Sequence, residues 1–459
     1  MASVTPGRGG EANPMSEIAR EAAESSVGGA FGSAFSFWPR HNEALYKRLE
    51  SKHAWLEERH HPSGDRPSDP LEHEMVLNIG PQHPATHGVL RCVVRLDGET
   101  IERAVIDIGY LHRGVEKLAE AKTYQEFMPY TDRMDYLAPY SNNVAWCLAV
   151  EKVASIEVPE RAQWIRMMMS ELARVSAHLL WLGVGLMDAG AVSVFLWTFQ
   201  GREDIYSIYD EVAGARLTVS HARIGGLATD ITPKALGMIR KFVDEYTEAI
   251  AGWEKFLNRL RIWIDRNKDI GVVTADEALQ LGLTGPNLRA TGIEYDIRRF
   301  EPYLRYEEVD FVIPVRTEGD SLARYFCRME EMKESLKIIR QCLEKLPSGP
   351  IRADDAKEAY PSKNEVYYSM EGMIHDFLYT DTGVCPPKGA ESYHAVENPK
   401  GELGFYIISD GTGMPWRVKI KSPSFSNLQG LEHMMEGSLV ADTVIMIGSV
   451  DPVMGESDK

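Results

Sequence analysis

Asn78-Ile79-Gly80-Pro81-Gln82-His83-Pro84-Ala85-Thr86-His87-Gly88 opens the most telling stretch of this 459-residue chain. An alternating segment follows, then Asp107 to Tyr110 and at once Leu111-His112-Arg113-Gly114-Val115-Glu116-Lys117. Three histidines, an arginine and a glutamate stand here beside turn-forming Gly and Pro. Titratable side chains on tight loops at strand ends suit a reactive site, because loops aim the groups while strands hold the aim. Val89 to Leu96 and Thr100 to Ile108 flank Asp97-Gly98, a hairpin signal, so the region from Glu74 to about Tyr110 reads as strands.

Working outward, long helices follow. Pro159 suits a first helical turn, and Ile165, Met168, Met169, Leu172, Val175 and Leu179 make one apolar stripe. Ile239, Phe242, Val243, Tyr246, Ile250, Trp253, Leu257, Leu260 and Ile264 make a second, nearly unbroken. Asp320 to Leu346 makes a third, stopped by Pro347 and Gly349. Towards the C-terminus, Glu402 to Ser409 and Trp416 to Lys421 flank Asp410-Gly411 and return to strands. The fold class is α+β, a central helical bundle with small β elements at both ends. The expected division is an extended N-terminal arm at 1–73, a β-rich subdomain with the histidine loop at 74–115, the bundle at 116–350 and an α+β segment at 351–459.

Composition narrows the function. Lys and Arg total 50 against 68 Asp and Glu, for a net charge of −18, which argues against a nucleic-acid partner. Cys92, Cys147, Cys327, Cys342 and Cys385 form no CxxC pair, so neither a zinc nor an iron–sulfur site has ligand spacing, and all five read as buried small hydrophobes. No GxGxxG fingerprint for a nucleotide is present. Leu179 to Trp197 is long and apolar, but Asp188 sits at its middle with Gly183, Gly185 and Gly190 around it. A charge at a bilayer centre is costly, so the stretch reads as a helix end, a bend and a second helix inside protein. Four glutamates before residue 25 sit badly with a transit peptide.

Several residues could carry chemistry. Pro84 lies between His83 and His87 and breaks the helical geometry of a metal pair, leaving two readings: a loop closed by its own hydrogen bonds, or an imidazole that donates a proton. Tyr136 is either a core tyrosine bonded to backbone or a donor to a ligand carbonyl. Glu171, Arg174 and His178 share a helical face, as a buried salt bridge or as part of a proton path.

GPQHPATHG, LHRGVEK and the later Tyr130-Thr131-Asp132-Arg133-Met134-Asp135-Tyr136 resemble the 49 kDa-type, quinone-site core subunit of respiratory complex I, a relative of nickel–iron hydrogenase large subunits. The resemblance runs from about Glu74 to Lys459 and implies a hydrogenase large-subunit-like fold. It implies that His87 and Tyr136 anchor a ubiquinone headgroup, that Asp188 stands behind the histidine, and that Arg113 lies near a [4Fe-4S] cluster held mainly by a partner subunit. Arg113 has a local alternative, a salt bridge to Glu116. The implied partners are the cluster-bearing and other core subunits and the membrane-arm subunits. The implied place is the matrix side of the mitochondrial inner membrane, as a peripheral subunit. The implied activity is NADH:ubiquinone reduction coupled to proton translocation; the alternative is a non-catalytic scaffold with the same fold.

Two departures sharpen this. Hydrogenase large subunits hold nickel and iron through two CxxC motifs, and the corresponding segments here, Arg133 to Ala138 and Asp451 to Glu456, contain no cysteine. Without soft thiolates nickel has no holder. Many family members also carry a histidine where this chain has Thr218, which cannot titrate; His221 is the nearest substitute.

Overall fold

A computed structural model describes residues 74–353 and 359–459, so the arm expected at 1–73 lies outside the described residues. Strands β1 (Glu74–Ile79), β2 (Arg91–Asp97) and β3 (Thr100–Asp107) form one antiparallel sheet in chain order. The β2–β3 loop is Gly98-Glu99 instead of Asp97-Gly98: Asp97 stays in the ladder opposite Thr100, and Gly98 supplies the φ of +60° that opens the turn. The sheet's buried residues, among them Cys92, Val94, Leu96 and Ile101, share a core with Leu428, Leu431, Met446 and Ile447 from the far end of the chain.

Five long helices carry the main core: α1 (Pro139–Ala154), α2 (Glu160–Asp188), α3 (Val192–Ala213), α4 (Pro233–Leu257) and α5 (Ser321–Lys345). Pro159 precedes α2, and the Asp320 carboxylate caps α5 by accepting from the Ala323 N–H at 2.7 Å. α2 is buried on nearly every side, not along one stripe, because α1, α3 and α5 all pack on it. It ends at Asp188, bends through Ala189–Ala191 and hands over to α3, which is the helix, bend and helix read from the sequence. Gly183 does not weaken this arrangement; a Cβ there would collide with Thr198 of α3, so the glycine lets the two helices approach. Among the described residues no helix is long and apolar enough to cross a membrane. The second stripe is split: α4 stops at Leu257, Asn258–Leu260 turn, and Arg261–Asn267 forms a separate short helix.

The C-terminal part adds β4 (Glu391–Asn398), β5 (Gly401–Ser409) and β6 (Pro415–Lys421), antiparallel in chain order, then α6 (Pro423–Met435), α7 (Thr443–Val450) and α8 (Met454–Ser457). β4 escaped the sequence reading because its inward end is polar: Glu397 and Asn398 are buried. The cysteines are buried with one exception, Cys385, which is exposed in a loop.

An ionic network pins the bundle. Glu171, Arg174 and His178 do share a face of α2, and it is fully interior. Arg298 reaches Glu171 at 3.1 Å and Asp296 at 2.7 Å, while Arg289 reaches Glu331 at 2.6 Å and Glu397 at 2.8 Å. His178 Nε2 sits 2.8 Å from Glu331, and burial lowers its pKa to about 4, so the ring is neutral and donates to the carboxylate. Each of these carboxylates touches a guanidinium, the condition under which buried charge is tolerated.

Candidate functional site

The histidine loop is a single 3-10 turn, Pro84–Thr86. His83 caps it, its Nδ1 accepting from the Ala85 N–H at 3.2 Å, and the Thr86 hydroxyl donates to the His83 carbonyl at 2.7 Å. His83 therefore follows the reading of a loop closed on itself. His87 does not. It ends the turn in the left-handed region, φ +51°, and its Nε2 meets Asp188 Oδ2 at 3.0 Å. Only 8% of the His87 side chain and 12% of the Asp188 side chain are exposed. Asp188 is the last residue of α2, at the end where the helix dipole disfavours a carboxylate, so the Nε2–H donated by His87 offsets an unfavourable position. Nδ1 of His87 has no partner among the described residues. α7 runs beside the ring: a Cβ on Gly448 would lie 3.8 Å from His87 Cε1 and Nε2, and the Trp181 indole holds the Gly448 carbonyl at 2.8 Å.

Tyr136 and Arg113 meet around another glycine. A Cβ on Gly455 would fall 3.0 Å from Tyr136 Cε1 and 2.6 Å from the Met134 carbonyl oxygen, so only glycine lets the two chain segments touch. Arg113 Nη2 donates to the Gly455 carbonyl at 2.6 Å. The expected Arg113–Glu116 salt bridge is absent among the described residues; Glu116 accepts from Lys419 at 3.0 Å instead. Burial raises the Tyr136 phenol above its ordinary range and Asp135 adds to it, while Arg113 opposes. No described group hydrogen-bonds the Tyr136 hydroxyl, which leaves a half-buried donor ready for a ligand oxygen.

The four expected residues thus fall into two pairs, His87 with Asp188 and Tyr136 with Arg113. Among the described residues no hydrogen bond or ion pair joins one pair to the other. The segment from Gly448 to Gly455 spans them, and the chain's tail fixes the rest: Asp458 accepts the Leu111 N–H at 2.6 Å and the Gly109 N–H at 3.0 Å. A cavity of about 660 Å³ opens beside the Arg113 loop, lined by His112, Glu116, Lys419, Phe425, Asp458 and Lys459.

The two cysteine-free segments lie against each other at Gly455, and behind them is a polar cluster that the sequence reading did not identify. Lys400 Nζ pairs with Asp451 Oδ2, Asn398 Nδ2 donates to Asp135 Oδ2 at 3.0 Å, and the Ser424 hydroxyl donates to Glu456 Oε1. All of these side chains are buried. Asp135, Asp451 and Glu456 were visible as acids in short quoted segments; Lys400 gave no signal, since its partner is far along the chain. His221 is interior, taking the Tyr140 hydroxyl on Nδ1 at 3.0 Å and donating from Nε2 to the Thr229 carbonyl at 2.9 Å. Burial lowers its pKa to about 4, so the ring is neutral.

Residues 188–459 match the family model described as the respiratory-chain NADH dehydrogenase 49 Kd subunit. Over 441 residues the chain is 72% identical to an NADH-quinone oxidoreductase subunit of Salinibacter ruber, covering 94% of this chain and 98% of that protein. It is 58% identical to an NADH-quinone oxidoreductase subunit of Chloroherpeton thalassium, over 89% of this chain and 92% of that protein. It is 48% identical to an NADH-quinone oxidoreductase subunit of Geotalea uraniireducens, over 84% and 98%. The chain belongs to the family of the 49 kDa subunit of respiratory-chain NADH dehydrogenase.

Proposed function

We propose that this chain is the core subunit of an NADH:quinone oxidoreductase that forms the quinone-reduction site beside the terminal [4Fe-4S] cluster of a partner subunit. The observation that carries this is the His87–Asp188 contact at 3.0 Å, set across the Gly448–Gly455 segment from an unpartnered Tyr136 hydroxyl. A quinone headgroup between them meets the Tyr136 hydroxyl at one carbonyl oxygen and, when His87 carries a proton on both ring nitrogens, its Nδ1–H at the other. A partner's cluster would supply electrons drawn from NADH, and each quinone takes up two electrons and two protons. Tyr136 gives its hydroxyl proton to one oxygen and His87 gives a proton to the other. Proton loss at His87 leaves the Asp188 carboxylate uncompensated, a change of charge at the joint of α2 and α3 that can be transmitted to partner subunits in the membrane arm and so to proton translocation. Arg113, held by the Gly455 carbonyl, is the cation turned towards the cluster-bearing partner.

The relatives named above are bacterial, and they lend no support to the mitochondrial placement. The reading places the chain as a peripheral subunit on the inner face of the membrane that carries the rest of the complex, the matrix face in a mitochondrion and the cytoplasmic face in a bacterium. The chain divides at 115/116 and 350/351 in this reading, and the site is assembled across both boundaries.

The test is electron transfer in membranes carrying Tyr136→Phe or His87→Ala, read with a short-chain quinone and with a hydrophilic acceptor that takes electrons upstream. Loss of quinone reduction with the upstream rate intact supports the site. Unchanged quinone reduction in both variants reduces the chain to a scaffold.

A further inference from the structure

Behind Tyr136 the cluster of Asp135, Lys400, Asp451 and Glu456 has too little positive charge for its acids. Three carboxyls share one ammonium, and that ammonium is committed to Asp451. Asp135 makes do with the Asn398 amide and the Leu137 N–H at 3.1 Å. Glu456 touches no cation among the described residues. One of its oxygens, Oε1, accepts from the Ser424 hydroxyl and from the Ser424 N–H at 3.2 Å; the other, Oε2, is buried with no partner among the described residues. An ionised carboxylate wants donors on both oxygens, whereas a neutral acid leaves one as O–H. Isolated buried charge is expensive, and the usual escape is protonation.

The surroundings point the same way. Facing Glu456 are Asp135 on the Tyr136 segment, Lys400 on the β4–β5 turn and Lys459 in the tail, while Asp451 before α8 faces Asp135. Arg328 of α5 faces Asp451, giving two hydrogen bonds to the carbonyls of Ser449 (2.7 Å) and Val450 (3.4 Å). Arg113 and Tyr136 lie on the other side of Gly455, one residue away along the chain. Burial, then Asp135, lifts the Glu456 carboxyl to about 8, and burial lifts Asp135 as well.

We propose that Glu456 is the proton store of the quinone site, a neutral buried acid that restores the Tyr136 hydroxyl after Tyr136 has protonated a reduced quinone. This rests on the role assigned to Tyr136 above. In the step, the O–H bond of Tyr136 breaks and an O–H bond to the quinone oxygen forms. The phenolate then takes the carboxyl proton of Glu456, the neighbour in the chain of the Gly455 on which the Tyr136 ring packs, leaving Glu456 as carboxylate. A proton from water returns Glu456 to the acid before the next turnover. Lys400 and Arg328 hold the transient negative charge in place. Glu456 acts through Tyr136 and is in that sense a positioning and supply residue, not one that touches quinone.

The experiment uses the assembled complex in its membrane with three variants, Glu456→Gln, Ser424→Ala and Tyr136→Phe, each assayed across pH with a short-chain quinone and an upstream hydrophilic acceptor. Gln has the shape of the neutral acid but holds no transferable proton. Glu456→Gln should assemble, keep the upstream rate and lose about tenfold of its quinone reduction, a modest share of what a general acid contributes. The wild type should lose quinone reduction as pH rises through about 8, where the acid ionises, and Glu456→Gln should lack that limb. Ser424→Ala removes the donor that favours the carboxylate, so its limb should move to higher pH. A wild-type rate and limb in Glu456→Gln overturns the proposal. If Glu456→Gln does not assemble, Ser424→Ala decides: an unmoved limb overturns it. Tyr136→Phe separates the two readings, since its full activity overturns the site itself, whereas its loss beside an unaffected Glu456→Gln overturns the proton store alone.

Discussion

Two buried ionic clusters in this molecule are built on opposite terms. In the bundle, Glu171, Asp296, Glu331 and Glu397 each touch an arginine. Burial pushes Glu171 and Asp296 up, but the arginines outweigh it and hold both at about 2; Glu331 is also held well below the carboxylate range. Glu397, which faces Asp296 as well as Arg289, is the member lifted by burial. Behind Tyr136, by contrast, Glu456 has no cation in contact among the described residues and both it and Asp135 are lifted. The same physics, desolvation against Coulomb attraction, yields permanent charge in one place and exchangeable protons in the other. The first arrangement fixes helices; the second has the features of a reactive site.

The comparison breaks most visibly at Arg289. Arg289→Ala should destabilise the chain by roughly 3–5 kcal/mol, because Glu331 and Glu397 are left as buried uncompensated acids. Thermal inactivation and assembly of the complex would report it, and a change below about 1 kcal/mol would show that the bundle's charges are not structural. The opposite result belongs to the second region. Tyr136→Phe should leave assembly and upstream electron transfer intact while lowering quinone reduction by about a hundredfold, the lower end of general-acid effects.

A pair of glycine substitutions sharpens the geometry. Gly455→Ala puts a methyl against the Met134 carbonyl and the Tyr136 ring, so it should displace Tyr136 and cost quinone reduction about tenfold. Gly448→Ala meets the His87 ring only at 3.8 Å, ordinary contact, and should change the rate less than about twofold. Equal effects of the two would contradict this packing.

The smallest expected effect is on stability against pH. Glu456 binds its proton more tightly in the folded chain than in the unfolded one, so folding takes up a proton between the ordinary carboxylate range and about pH 8. Stability should fall as pH rises across that window, by at most about 1.4 kcal/mol per pH unit for one proton, and level off above it. Glu456→Gln should flatten the slope, whereas Glu171, Asp296 and Glu331, held low by their arginines, should contribute stability that is lost only on acidification. Heat inactivation measured at several pH values in the assembled complex would detect the difference.

Sequence alone went far where the signal is local. Turn chemistry placed the histidine loop, apolar period and Pro159 placed α2, and Asp188 among glycines marked the end of α2 and a polar residue in an apolar setting. What tertiary structure decided is every relationship between distant segments. His83 and His87 look alike in sequence, but one closes its own loop and the other reaches 101 residues along the chain to Asp188. Arg113 abandons its neighbour Glu116 for a carbonyl 342 residues on. Lys400, buried at a hairpin turn, reads as an ordinary surface lysine until Asp451 is brought to it, and β4 is hidden because burial of Glu397 depends on Arg289. Periodicity and propensity are set by residues within a turn or two of each other. The desolvation and pairing that fix where a charge can live, and whether it keeps its proton, depend on which remote groups the fold brings within a few ångströms.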